Sequence, residues 1–269
     1  MSFLNRFKKS EKKNEESFNG GQGTQWQAFL GSVSSKESMA DMVMEVVKTG
    51  KKAESSKVTV DGNKAVVDYF REVSGGLGSV SIAVNNTVET AFPVIEGTHA
   101  YPCVLKVVQE WNNKVEAFLE VTGPENAMIK FFDNAYGVNH GRYEIGKTYN
   151  IQFGGLVYSI SKAETGKIIE GKDGKKFSMG TGTAFLPLSF TAKDAWPNEY
   201  SVRGPVKEIR KVKGGNLLEL GAYNYGKGYG EHFIITVFMS DNNNPYVPKK
   251  GDYVSAVVYL TGEIKNING

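Results

Sequence analysis

The chain has 269 residues, with 32 Lys and Arg against 29 Asp and Glu, a formal net charge of +3. Apolar residues make up 40%, aromatics 12% and charged residues 23%, which is a globular composition with material for a sizeable core and excludes collagen-like, disulfide-rich and globally disordered chains. A balance of +3 is too small to imply a polyanion partner by itself. No run reaches the roughly 18 apolar residues of a membrane helix. The start MSFLNRFKKSEKK lacks an apolar signal core, and the single Cys103 suits a reducing, cytoplasmic setting.

Residues 1–30 mix Lys and Arg with Glu before a Gly-rich run, Asn19-Gly20-Gly21-Gln22-Gly23, with few apolar groups to offset ordering entropy, and are expected to be a disordered tail. Residues 31–77 read as a small helical element. Ser34 and Glu37 stand at capping-box spacing, and Met39, Val43, Val46 and Val47 then recur on one helical face. A second helix is expected from Asn63, with Val66, Val67, Phe70 and Val73 on one face and Ser74-Gly75-Gly76 as its stop. Between the two, SSKVTV alternates as a short strand does.

From residue 78 the pattern is β. SVSIAV, YPCVLKVV, VEAFLEV, AMIKFF and TYNIQF alternate and are separated by turn signals such as Asn85-Asn86 and Asn112-Asn113. They define a first antiparallel module over 78–160. A Lys- and Gly-rich stretch over 161–184, with the turn dipeptide Asp173-Gly174, reads as an arm or linker. A second module over 185–269 carries about five closely spaced strands, with Gly204 placed to bend the long first one, the pattern of a small OB-like barrel. The fold expected is thus mainly β (α+β overall): two antiparallel modules, the C-terminal one OB-like, after a small helical element. An internal echo joins them. FFDNAYGVNHGRYEIGKTYNIQF and FMSDNNNPYVPKKGDYVSAVV share strand, wide polar loop, tight Gly turn and strand, as one supersecondary unit used twice would.

Chemistry is sparsely signalled. Gly141–Thr148 satisfies G-x-x-x-x-G-K-[ST], but the following YNIQFGGLVYSI is strand-like, and a phosphate loop needs a helix there, so a turn is expected instead. His99, His140 and His232 have no metal-ligand spacing, and Cys103 alternates with apolar residues as a buried thiol does. No metal, cofactor or catalytic residue is assigned. The competing enzyme reading rests on one loop holding Asp133, Tyr136 and His140.

The stronger binding signal is AYNYGKGYG, which sets Tyr223, Tyr225, Tyr229 and Lys227 among glycines. Arg203, Lys207 and Lys211 share one face of the neighbouring strand at even spacing, while Arg210 falls opposite unless a bulge intervenes. These seven residues are the expected site of a non-enzymatic intracellular binding protein with a protein partner. Single-stranded nucleic acid, stacked on tyrosines beside cations, is the alternative ligand.

Overall fold

The computed structural model describes residues 23–30, 36–52, 56–60, 63–164, 167–170, 176–179, 182–225, 231–242 and 244–265. Helices α1 (Gly23–Leu30) and α2 (Lys36–Thr49) precede a small antiparallel sheet. Its strands are β1 (Lys51–Lys52), β2 (Ser56–Val60), β3 (Asn63–Ser74), β4 (Leu77–Val84) and β5 (Thr87–Ile95).

Two expectations change here. Residues 23–30, placed in the disordered tail, form α1, whose Trp26 is fully buried and donates its indole N–H to the Ala91 carbonyl at 3.1 Å. Residues 63–74, expected as a second helix, form β3. Val66, Val67, Phe70 and Val73 fit a helical stripe, but Ala65, Val67 and Tyr69 alternate and are the ones buried, while Val66 is 44% exposed. β-Branched and aromatic residues favour the strand once β2 and β4 pair on either side. Gly75-Gly76, read as a helix stop, is a hairpin turn with φ of +61° and +85°, the positive pair that such two-residue turns require. Residues 1–22, the rest of the expected tail, lie outside the described residues.

One face of the small sheet, with Val67, Ile82, Phe92 and Val94, packs on the barrel strands through Phe118, Phe132, Leu156 and Tyr259. The other face receives α2: the Ser81 hydroxyl donates to the Val43 carbonyl at 3.2 Å, and Val43 joins Trp26 and Ala91 in a second, smaller core.

The larger sheet comprises β6 (Ala100–Glu110), β7 (Ala117–Thr122), β8 (Met128–Asp133), β9 (Thr148–Lys162), β12 (Ala184–Pro187), β13 (Glu199–Val212), β14 (Gly215–Tyr225), β15 (Glu231–Ser240) and β16 (Tyr253–Ile264). A short helix, α3 (Tyr136–Asn139), sits between β8 and β9. Within the Lys- and Gly-rich stretch, β10 (Lys167–Glu170) pairs with β11 (Lys176–Met179) as a separate hairpin; Asp173-Gly174 lies outside the described residues.

The large sheet closes twice. β6, β7 and β8 form an antiparallel meander; β8 pairs in parallel with β16, β16 antiparallel with β9, and β9 antiparallel with β6. β13, β14 and β15 form the matching meander; β15 pairs in parallel with β9, and β16 antiparallel with β13. Each ring is an OB-like five-stranded Greek-key barrel whose last strand comes from the other half of the chain. The rings share the β9–β16 pair, and one core runs through both, from Leu119 and Phe131 to Leu218 and Phe233.

The echo in the sequence marks equivalent parts. Gly146 and Gly251 precede β9 and β16 with φ of +86° and +89°. Gly146 donates its N–H to the Leu105 carbonyl, and Leu105 in turn donates to Lys147; Gly251 donates to Val206, and Val206 to Asp252, all at 2.8–3.0 Å. A bulge follows each first-strand residue, at Lys106 in β6 and at Lys207 in β13. The bend expected at Gly204 is present: residues 199–205 of β13 pair with β16 and residues 206–212 with β14. A Cβ at Gly204 would sit 1.8 Å from the Gly221 carbonyl oxygen, so only glycine allows this crossing.

Candidate functional site

The Tyr- and Gly-rich segment spans the end of β14 and the connection to β15, the second and third strands of the second barrel. Pairing continues out to Tyr225 and Glu231. Lys227 and Tyr229 lie outside the described residues, and of Tyr225 only the backbone is described. Tyr223 packs inward: its ring stacks on Phe233 at 4.8 Å, and its hydroxyl donates to the Pro124 carbonyl at 3.1 Å. Pro124 belongs to the β7–β8 turn, the equivalent turn of the first barrel. The Tyr223 end of β14 therefore lies against the β7–β8 turn. Tyrosines of the first strands tie the barrels together from both directions. The Tyr200 hydroxyl accepts from the Lys130 N–H at 2.7 Å, and the Tyr101 hydroxyl accepts from the Ile234 N–H at 2.8 Å.

The three strand cations are dispersed. Arg203 is 8% exposed and donates to the Glu164 carbonyl at 2.7 Å. Lys207 is half-buried at the bulge; burial, and then the charge of Lys207, hold His232 below its ordinary pKa. Lys211 is exposed and pairs with Asp241 at 2.7 Å. The bulge breaks the alternation on which a shared face depends: Lys207 is the extra residue, and the register changes between Val206 and Glu208.

The loop after β8 gathers Asp133, Tyr136 and His140 into one neighbourhood, with links that sequence spacing does not show. Asp133 is 1% exposed; it accepts from the Tyr143 hydroxyl and, at 3.0 Å, from the Ala135 N–H. Burial raises its pKa from 3.8 to about 7, against the lowering effect of those two donors. Tyr136 stacks on Tyr143 with ring centres 5.7 Å apart and donates to Glu110 at 2.8 Å. His140 pairs with Glu110 at 3.0 Å. Burial acts to raise Glu110, but hydrogen bonds from Lys114 and Tyr136 outweigh it and hold the carboxyl below its usual range. Tyr136 and Tyr143 are both pushed well above the usual phenol range, first by burial. The arrangement fastens the loop to the first barrel, with both oxygens of Asp133 engaged by the fold. Glu110 and Tyr143 were not singled out in the sequence: Glu110 sits at the end of an alternating strand, and Tyr143 inside the string that resembles a phosphate loop. That string forms turns and enters β9.

Across the small sheet, Tyr69 donates to the Asn134 carbonyl at 2.8 Å. Arg71 is clamped between Glu96 at 2.8 Å and Glu263 at 2.9 Å, and Glu263 also meets Lys265 at 3.2 Å. Burial alone would raise Glu263, yet the charge and hydrogen bonds of Arg71 keep it below its ordinary pKa. Cys103 is fully buried, and burial pushes its thiol up to about 12. Among the described residues, no group of three or more His, Cys, Asp or Glu is placed to hold a metal ion, and no helix is long and apolar enough to cross a membrane.

No known family's sequence profile matches the chain, and no curated protein does. Among solved structures, the cytoplasmic molybdate-binding protein ModG, in a PEG-grown form with molybdate bound, aligns at 12% identity and a TM-score of 0.33, covering 63% of this chain and 97% of the ModG chain. Strand pairing, not this likeness, identifies the barrels described above.

Proposed function

We propose that the chain is a non-enzymatic intracellular binding protein that takes a protein partner on the β14–β15 hairpin. One observation supports this reading: the Tyr- and Gly-rich segment links the paired second and third strands of an OB-like barrel, and Tyr223 at its base reaches the equivalent turn of the other barrel. OB-like barrels use the face of these strands for ligands. In this reading Tyr225 and Tyr229 contact the partner, Lys227 contributes charge, and Tyr223 supports the hairpin from beneath. A protein fits better than a nucleic acid because Arg203 is buried and Lys211 is paired with Asp241, so the strand does not present the row of cations that phosphate tracking uses.

The test is quantitative capture from a lysate of the source cells, comparing wild type with a Tyr225→Ala/Tyr229→Ala variant. Hot-spot tyrosines are worth about 2 kcal/mol or more each, so the variant should lose stoichiometric partners at least about tenfold while keeping its circular-dichroism spectrum. A folded variant that retains every partner overturns the reading. Oligonucleotide binding that weakens steeply with salt, followed by fluorescence anisotropy, would replace the protein partner with single-stranded nucleic acid.

A further inference from the structure

We propose that the loop after β8 is a pH-sensitive latch: it fastens the small sheet to the first barrel, and it loosens when Asp133 loses its proton. The loop touches both parts. Asn134 is buried; its N–H donates to the Gly262 carbonyl on β16 at 2.9 Å, and its carbonyl accepts from the Tyr69 hydroxyl on β3 at 2.8 Å. Gly137 in α3 lies so close to the small sheet that a Cβ there would be 2.9 Å from Cδ1 of Ile82. Asp133 stands where the loop leaves the barrel, paired with Gly262. Ala135, Val138 and Asn139 also line a cleft together with Tyr69, Arg71 and Glu263, so opening the latch opens that cleft.

Asp133 is buried with two neutral donors of its own loop, the Tyr143 hydroxyl and the Ala135 N–H, and among the described residues no Lys or Arg forms an ion pair with it. The titratable groups that act on it or feel its charge are Tyr136 and Tyr143 from the loop, Tyr69 from β3 and Glu263 from β16. Burial pushes the three phenols well above their ordinary range, so they stay neutral. Glu263 stays anionic, because Arg71 at 2.9 Å and Lys265 at 3.2 Å favour its charged form. Beyond Tyr136 lies Glu110, held by Lys114 at 2.8 Å and His140 at 3.0 Å. An ionised Asp133 is thus a buried charge facing a second carboxylate. The protonated form keeps both contacts, accepting from Ala135 and donating to the Tyr143 hydroxyl oxygen. In the closed loop the proton leaves at about 7, and in an opened loop, with the carboxyl in water, near its ordinary 3.8. Opening therefore becomes easier as pH climbs between those values and levels off above them. This latch does not depend on the function of the β14–β15 hairpin.

The experiment follows hydrogen exchange of the full chain at pH 5 and pH 8, corrected for the intrinsic pH dependence of exchange. Amides of residues 134–143 should open by a local motion that is nearly insensitive to denaturant, and that opening should increase at least about tenfold from pH 5 to pH 8. Asp133→Asn retains an acceptor for Ala135 and a donor for Tyr143, and should remove the increase; His140→Gln, at the rival sensor in the same loop, should leave it. Carbon-13 NMR of the Asp133 carboxyl in the wild-type protein gives a check that needs no variant, with an expected midpoint near 7. The proposal is overturned by a midpoint near 4, by loop amides that exchange only when the whole molecule unfolds, or by a pH dependence that survives in folded Asp133→Asn or disappears in His140→Gln.

Discussion

Asp133 is the residue at which protonation and fold are most tightly linked. Its carboxyl is buried beneath Tyr143, and its pKa rises from 3.8 to about 7 on folding. A carboxyl with a raised folded-state pKa costs nothing while protonated in both states. The cost grows as pH climbs from about 4 to about 7 and is level above that. Glu263 and Glu110 act in the opposite sense: held below 4.5 in the fold, they stabilise at neutral pH, and that contribution is lost on acidification. Asp133→Asn should therefore flatten the decline between pH 4 and pH 7, leave the acid limb in place, and gain stability over wild type as pH rises. Denaturant titrations at pH 5 and pH 8 measure this; parallel profiles for the two proteins would contradict it. Asp133, Tyr136 and His140 were legible as a group because they share one loop. The Arg71–Glu263 clamp was not, because its members stand far apart in the chain and meet only where the small sheet docks on the barrels.

At the scale of elements, β3 separates two readings of one segment. A helix buries Val66 and Val67 on the same stripe, whereas the strand buries Val67 and leaves Val66 at 44% exposure. Val67→Ala should cost roughly 2–3 kcal/mol through lost burial and the cavity left behind, and Val66→Ala less than about 1 kcal/mol, as read from denaturation midpoints. Equal costs would favour the helical assignment. Local turn chemistry was readable where it is self-sufficient: Asn85-Asn86 adopts φ of +50° and +65° and closes the β4–β5 hairpin. Gly75-Gly76 carried the same signal, but a Gly pair ends helices as readily as it turns hairpins, and only pairing with β4 decides between them. The even spacing of Arg203, Lys207 and Lys211 failed as a guide to one face because a bulge is a pairing event with no mark of its own in the strand.

At the scale of the molecule, the exchange of last strands dominates. The repeated strand–loop–turn–strand unit was visible in the sequence as two similar segments, and the second barrel as a cluster of short strands. Which strand closes which barrel was not visible, because β8 with β16 and β15 with β9 are contacts between the two halves. Since β9 and β16 belong to both rings and one core spans them, neither barrel is complete without the other. Native-state hydrogen exchange across increasing denaturant tests this most directly. The amides of β9 and β16 should merge with those of β6–β8 and of β13–β15 into a single opening transition with one free energy. Two separate transitions, with β9 following one barrel and β16 the other, would contradict the shared architecture.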